Sequence, residues 1–386
     1  MTNLWLALLL KFSDSQLDMR FERDTKNFLL INPMKVAMLI SGGVDSSVSL
    51  RLLKDAGHDI TAFYLKIWLE DELSFLGECP WEEDLGFIRS VCEGAGVPLR
   101  VVPFQKEYHE RIVSYVIAEA KAGKTPNPDV FCNTLIKFGA FVEAYGAEFD
   151  RVATGHYAKT EMRDGLARLL RSADEQKDQT YFLSRLRQDQ LAKAMFPIGG
   201  YRKDEVRELA RKFGLSNAAR KDSQGICFLG TIPFDQFLKE TLGTKEGDIV
   251  DAKTGAVLSK HDGYWFYTIG QRRGIGLSGG PWYVTGKDVA KNIVYISNAY
   301  RSAETARTEF DVEGLSWIAD VPGADDSLTV KLRHGAQEYP CTLLVLSGNR
   351  GHVILKHGDT GIAAGQIAAL YRGDECLGSG IISEKE

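Results

Sequence analysis

Two hydrophobic rhythms divide the chain. KVAMLI (35–40) is a continuous apolar run of strand length, and after a short glycine-containing gap Val48, Leu52 and Leu53 fall on one helical face, with Gly57 just past the helix end. The alternation continues. DITAFYLKIW (59–68) predicts a buried strand, LGFIRSVCEGAG (85–96) a helix, PLRVVPF (98–104) a third strand and HERIVSYVIAEAKAG (109–123) another helix. RVATGHYA (151–158) predicts a strand running into a loop, and KDEVRELARKFGL (203–215) an amphipathic helix near the end of this unit. Such alternation predicts an α/β unit, a parallel sheet with helices on its faces. Past about residue 229 glycines crowd 243–280 and helical periodicity fades. From about 304 the runs SLTVKLRH, EYPCTLLVL, HVILKH, QIAALYR and LGSGIIS, separated by Gly and Asp, predict a small antiparallel β-barrel. The expected division is a disordered extension over 1–34, the α/β unit over 35–228, a small central β-rich unit over 229–303 and the barrel over 304–386.

Composition narrows the class. The 386 residues are 44% hydrophobic and 26% charged, as in ordinary globular proteins, with room for two or three domains. No apolar run approaches the roughly 18 residues that span a bilayer, so no membrane partner is expected. LWLALLL (4–10) is short and lacks a basic lead-in, and Asp14, Asp18, Glu22 and Asp24 oppose a transit peptide. The expectation is a cytoplasmic monomer, with mitochondrion or plastid as the alternative if the extension is a transit peptide; Met34 is an alternative first residue. The net charge is −5, but it is uneven: residues 304–386 hold 7 Lys/Arg and 13 Asp/Glu, leaving 40 and 39 in residues 1–303. Residues 200–230 carry 7 basic and 4 acidic side chains, a local positive surface able to steer a polyanion.

Candidate chemistry starts at SGGVDSS, Ser41 to Ser47, between the first strand and the first helix. Glycines let backbone approach phosphate, the helix start offers unpaired N–H groups, and Ser41, Ser46 and Ser47 add hydroxyls. A Walker loop would follow its glycines with a lysine directed at the β- and γ-phosphates; none follows here, which disfavours γ-phosphoryl transfer. Six cysteines stand at 79, 92, 132, 227, 341 and 376 without a CxxC pair, which gives zinc ribbons no support and predicts no bound metal. Two of them sit in prepared settings. Cys132, in TPNPDVFCNTLIKF, precedes a helical pattern that runs through Tyr145, and a thiol at a helix start has its thiolate favoured; Asp129 is a nearby acid or base. Cys227, in KDSQGICFLG, lies between Gly225 and Gly230, with Arg220 and Lys221 close enough in sequence to favour a thiolate.

SGGVDSS resembles the pyrophosphatase-type (PP) loop of enzymes that split ATP between its α- and β-phosphates. Together with AGKTPNPDVFCN, ATGHYAK, KDQTYFL, KDSQGICFLG, YTIGQRRGIG, PWYV and CLGSGII, in that order from about Lys35 to Ser383, it makes the chain resemble bacterial and organellar tRNA-specific 2-thiouridylases. The resemblance implies a PP-loop, adenine nucleotide alpha hydrolase-like fold for the α/β unit. It implies that Leu39, Ile40, Ser41, Gly42, Gly43, Val44, Asp45 and Ser46, with Leu65 and Gly155, surround ATP, with Mg2+ expected on the nucleotide. Asn127, Pro128 and Asp129 would receive the target base. Cys227 would carry a persulfide sulfur and Cys132 would assist its transfer, ending in a Cys132–Cys227 disulfide. His156, Lys177, Asp178, Gln179, Arg333, His334 and Gln366 would touch tRNA, with Lys, Glu and Gln acceptors expected. The sulfur would come from a cysteine desulfurase or a sulfur-relay protein.

The chemistry is coherent: adenylation makes the 2-oxygen of uracil a leaving group, and a persulfide is a soft nucleophile whose generation and release need thiolates. Ile40 stands where the family usually has methionine, and His334 where it often has tyrosine. Three alternatives stay open at this stage. One is another PP-loop adenylating ligase, which would leave both cysteines without purpose, and another is an RNA-binding protein with an inactive loop. The third has Cys132 and Cys227, with a ligand such as Asp129, hold an iron–sulfur cluster.

Overall fold

A computed structural model describes residues 33–67, 81–221, 232–298, 306–323, 327–346 and 348–383. The first unit contains β1 (Lys35–Leu39), α1 (Val44–Asp55), β2 (Asp59–Lys66), α2 (Trp81–Ala95) and β3 (Leu99–Pro103). α3 (Gln105–Tyr108) then runs through a wider π-helical stretch, His109–Val113, into α4 (Ser114–Lys121). α5 (Pro128–Cys132) continues through a second π-helical stretch, Asn133–Ala140, into α6 (Phe141–Tyr145), and β4 (Arg151–Ala153) follows. A hairpin of β5 (Ala158–Arg163) and β6 (Leu166–Arg171) precedes α7 (Thr180–Leu183), α8 (Gln188–Lys193), β7 (Ala194–Met195) and α9 (Lys203–Lys212).

The sheet order is β3-β2-β1-β4-β7, and every pairing is parallel. β1 is buried along four of its five positions, as a central parallel strand covered on both faces must be. One face packs Leu50 and Leu53 of α1 and Ile88 and Val91 of α2 against Val36 and Met38. The other packs Ile112, Val116, Ile136 and Phe141 against Ala37 and Leu39. The chain winds outward from β1 to β3 and then returns to β1's other side as β4. That reversal opens a crevice at the carboxyl ends of β1 and β4, the place where open α/β sheets bind ligands.

The middle unit has α10 (Phe234–Leu242) and a four-stranded sheet of β8 (Gly247–Asp251), β9 (Val257–His261), β10 (Tyr283–Asp288) and β11 (Ile293–Ser297), in the order β10-β11-β8-β9. The third is a closed six-stranded antiparallel barrel: β12 (Arg307–Trp317), β13 (Leu328–Lys331), β14 (Tyr339–Val345), β15 (Gly351–Asp359), β16 (Ile367–Arg372) and β17 (Glu375–Ile382), closed by β12 on β17. β12 is not among the five runs that predicted the barrel; its buried positions, Phe310, Val312 and Leu315, depart from simple alternation at a register shift between Glu313 and Ser316.

The β5–β6 hairpin was not predicted, and it ties the units together. β6 adds to the barrel through β17, with Glu375 opposite Leu170 and Cys376 opposite Leu169. One apolar core therefore contains Leu169 and Leu183 of the first unit with Ile367, Tyr371 and Cys376 of the barrel. Beneath it, Lys331 of β13 meets Asp178 at 3.4 Å, with both side chains nearly inaccessible.

Candidate active site

At the end of β1 the Ile40 amide donates to Phe63 O at 2.9 Å, and the chain then turns through Gly42 with φ of +77°, a conformation glycine adopts without strain. Gly43 is the N-cap of α1, so no side-chain oxygen occupies the first-turn N–H groups, which face the crevice together with the positive end of the helix. Ser46 closes the loop on itself, donating to Gly43 O at 3.0 Å and accepting from the Ser41 amide at 3.3 Å. Gly155, past the end of β4, presses on the same turn: a Cβ there would stand 2.7 Å from the Ser46 nitrogen. Leu39 and Ile40 are buried and Leu65 is half-buried at the end of β2. The turn Ser41–Ser46, with Gly155 packed against it, has the geometry of an anion cradle.

Supports arrive from distant sequence. Asn217 Nδ2 donates to Gly42 O at 2.9 Å and to Ser47 Oγ at 2.8 Å. Arg220 donates to Gly42 O at 3.1 Å and pairs with Asp84 at 2.6 Å. Sequence proximity tied Arg220 to Cys227, but here it serves the loop. Asp45 accepts from Tyr157 Oη at 2.8 Å and from Lys203 Nζ at 2.7 and 2.9 Å.

A second group of residues forms around Asn127. Asn127 caps α5, with Pro128 at the first helical position. Its Nδ2 donates to Tyr181 Oη at 3.0 Å and to Gln366 Oε1 at 3.3 Å, and its amide donates to Tyr115 Oη at 3.2 Å. Gln366 Nε2 donates to Thr125 O and Pro126 O at 3.2 and 3.3 Å. The barrel thus grips the TPNPD segment. Burial raises the pKa of Tyr115 to about 12 and that of Tyr181 further, so both hydroxyls stay protonated. Asp129 sits in the first turn of α5, and Asn133 Nδ2 bonds Asp129 O and Phe182 O, both at 3.1 Å.

The helix here begins four residues earlier than the sequence predicted, because Asn127 and Pro128 supply a cap and a first turn. Cys132 is therefore buried inside a continuous helical run. The helix-start argument for its thiolate does not apply. Cys227, Cys79 and the segment around each lie outside the described residues. Among the described residues no group of three or more His, Cys, Asp or Glu is arranged to hold a metal ion, and no helix is long and apolar enough to cross a membrane.

The residues assigned to tRNA divide. His156 bonds Thr154 Oγ1 through Nδ1 at 2.7 Å; burial, then the Lys137 charge, holds its pKa well below the ordinary value. Gln179 exchanges hydrogen bonds with the Tyr157 backbone, accepting at 3.0 Å and donating at 2.9 Å. Lys177 is half-buried, but Asp178 faces inward, bonded to Thr180 Oγ1 at 2.6 Å and the Ser172 amide at 3.1 Å beside Lys331 and Arg171. Arg333 pairs with Asp359 and Tyr339 while staying 45% exposed. His334 stacks on Phe182 with ring centroids 4.6 Å apart, and burial lowers its pKa.

Three family models match the chain in sequence: the tRNA methyl transferase HUP domain over residues 34–231, the tRNA methyl transferase PRC-barrel domain over 235–298 and the aminomethyltransferase beta-barrel domain over 307–382. The tRNA-specific 2-thiouridylase MnmA of Parabacteroides distasonis is 44% identical over 358 residues, covering 91% of this chain and 99% of that protein. The chain belongs to the tRNA-specific 2-thiouridylase family. The Geobacillus thermodenitrificans member, also named tRNA-specific 2-thiouridylase MnmA, is 42% identical over 91% of this chain and 95% of its own. Solved structures align more remotely. A U34-tRNA thiolase NcsA from Methanococcus maripaludis matches at 20% identity and TM-score 0.34, covering 52% of this chain and 64% of that one. NMN synthetase from Francisella tularensis matches at 16% and 0.35, covering 56% and 80%.

Sequence reasoning missed Tyr115, Tyr157, Tyr181, Lys203 and Asn217 as members of the site. Tyr157 and Tyr181 lie inside the quoted segments ATGHYAK and KDQTYFL, so their neighbours were a usable signal. Lys203 and Asn217 carry none, since each reaches the loop from more than 150 positions away.

Proposed function

We propose that this chain is an ATP-dependent tRNA sulfurtransferase that converts the wobble uridine of tRNA to 2-thiouridine. The observation that carries the reading is full-length membership of the 2-thiouridylase family, with the PP-loop cradle as its physical support. ATP fits the cradle: no side chain caps the first turn of α1, Gly42 turns at positive φ, and Gly155 stands where a Cβ would press on the Ser46 nitrogen. Mg2+ would accompany the nucleotide and offset phosphate charge, while both carboxylate oxygens of Asp45 stay with Lys203. The uridine 2-oxygen attacks the α-phosphorus, the bond from that phosphorus to its bridging oxygen breaks, and pyrophosphate leaves with the electron pair. The terminal sulfur of a persulfide on Cys227 then attacks C2, and AMP departs with the former 2-oxygen. The Cys132 thiolate attacks the Cys227 sulfur, breaks the S–S bond and leaves a Cys132–Cys227 disulfide that an external thiol reduces.

Asn127, Pro128 and Asp129 would receive the base: Asn127 bonds Tyr181, Asn133 bridges Asp129 O to Phe182 O, and Phe182 stacks with His334, which would offer polar edges and an aromatic face of the kind that holds a splayed anticodon-loop base. His156, Lys177, Gln179 and Arg333 would contact the tRNA around it; Gln366, whose side chain is bonded to the TPNPD segment, would brace that segment, and Asp178 would act from inside, by holding its turn. The tRNAs for Lys, Glu and Gln are the expected substrates, a cysteine desulfurase or relay protein the sulfur donor, and the cytoplasm the compartment. Mass spectrometry of tRNA nucleosides from a deletion strain, with and without this gene, tests the reading. 2-Thiouridine should return only with the gene. Cys227→Ser should abolish it while ATP and tRNA binding persist; an equal loss of tRNA affinity would count against the persulfide role.

A further inference from the structure

The nucleotide loop has no lysine in sequence, yet one reaches it in space. Lys203 opens α9, and its Nζ stands 2.7 and 2.9 Å from the two carboxylate oxygens of Asp45, the second residue of α1. The Lys203 amide donates to Asp174 Oδ2 at 2.9 Å, which fixes the main chain from behind while the side chain extends to the loop.

A purely structural ion pair explains this poorly. α1 and α9 are already joined by Val44, Val48, Val206, Leu209 and Ala210, all buried. The pair lies at the open end of that seam, with Asp45 30% and Lys203 15% exposed, and an ion pair so placed adds at most about 1 kcal/mol. A carboxylate in the first turn of an anion-binding helix also repels an incoming polyphosphate unless a cation stands beside it. Arg220, the other cation on this loop, is committed to Asp84 and Gly42 O.

We propose that Lys203 is the phosphate-contacting cation of the ATP site. This rests on the ATP-dependent reading above. With nucleotide bound, its ammonium donates to the pyrophosphate half. During adenylation it neutralises the charge that gathers there as the bond between the α-phosphorus and the bridging oxygen breaks.

The test uses the full chain and two probes, inorganic pyrophosphate and AMP, titrated calorimetrically into wild type, Lys203→Gln and Lys203→Arg. Lys203→Gln should weaken pyrophosphate about 10- to 100-fold, the range for losing a charge-assisted hydrogen bond, and leave AMP and tRNA affinities unchanged. Lys203→Arg should recover most of the loss, and single-turnover pyrophosphate release should follow the same order. Unchanged pyrophosphate affinity in Lys203→Gln overturns the proposal. So does an equal loss for both probes, because a misshapen loop would not distinguish them. Wild type that binds neither ATP nor pyrophosphate overturns the ATP reading itself.

Discussion

Gln366 tests whether the barrel acts on tRNA or on the catalytic unit. Its side chain makes three hydrogen bonds to the TPNPD segment, at 3.2, 3.3 and 3.3 Å, and the neighbouring Ala364 O accepts from the Thr125 amide at 2.8 Å. Gln366→Ala removes the three side-chain bonds. At about 0.5–1 kcal/mol each, taken at the low end for their length, the loss is about 1.5 kcal/mol. That lowers the population of the braced segment about tenfold relative to its alternatives. If Gln366 works as a brace, kcat for thiolation at saturating tRNA and ATP should fall about tenfold, with the KM for tRNA little changed. Gln366→Glu should be worse than alanine, because a carboxylate would face the carbonyls of Thr125 and Pro126. Gly365→Ala should give the same phenotype by another route: its Cβ would lie 2.8 Å from Thr125 O at a φ of +87°, a conformation that costs a non-glycine residue on the order of 1–3 kcal/mol. Steady-state rates measured against tRNA concentration decide the matter. A Gln366→Ala enzyme with normal kcat and a raised KM for tRNA would refute the brace and leave a direct RNA contact.

Gly155→Ala would drive a methyl group against the Ser46 nitrogen and should reduce ATP affinity about 5- to 150-fold, from overpacking worth about 1–3 kcal/mol; normal ATP titration in this variant would show that the loop tolerates the intrusion. Lys331→Met leaves the Asp178 carboxylate buried with Arg171 at 3.7 Å as its remaining cation, so denaturant unfolding should show a loss of about 3 kcal/mol, the low end for a broken buried pair. A loss below about 1 kcal/mol would mean Arg171 compensates fully. Burial lowers the pKa of His58, His156 and His261. As pH falls below the ordinary value of 6.5 the unfolded chain takes up protons that these folded imidazoles refuse, so stability present at pH 7 and above should be lost on acidification, at up to about 1.4 kcal/mol per pH unit for each histidine. Replacing His156 with Asn should flatten the slope between pH 6.5 and 5; an unchanged slope would place His156 in contact with water.

Local signals in the sequence located the cradle and left its construction unread. KVAMLI, SGGVDSS and the helix after it form a strand, an anion loop and a helix in one continuous stretch from Lys35 to Asp55, so apolar period and glycine spacing sufficed. The five alternating runs predicted the barrel for the same reason, since hairpin neighbours in an antiparallel sheet are neighbours in sequence. The same logic explains the errors. Cys132 was placed at a helix start because Leu135, Ile136 and Phe138 carry the visible period, whereas the true start is set by the Asn127 cap and Pro128. The β5–β6 hairpin carries a local turn signal, Asp164-Gly165 with both residues at positive φ, but β5 is exposed at five of its six positions and so shows no apolar alternation to mark it as a strand.

The groups that tune the site come from farther still. Lys203 and Asp45 are 158 positions apart, Asn127 and Gln366 239, and Asp178 and Lys331 153. A side chain's partner at such a distance is fixed by sheet order and domain docking, which no short window contains. The order β3-β2-β1-β4-β7 puts the carboxyl ends of β1 and β4 side by side, and from there Ser41–Ser47 and Gly155 must share a crevice. The hairpin that follows β4 then joins β17, so the strand end that forms one wall of the nucleotide crevice and the barrel that grips Asn127 are separated by one short connection, Thr154–Tyr157. A displacement of the barrel large enough to free Gln366 from the TPNPD segment would therefore strain the turn that seats Gly155 against Ser46, so the fold gives the base-receiving segment and the nucleotide loop a common support.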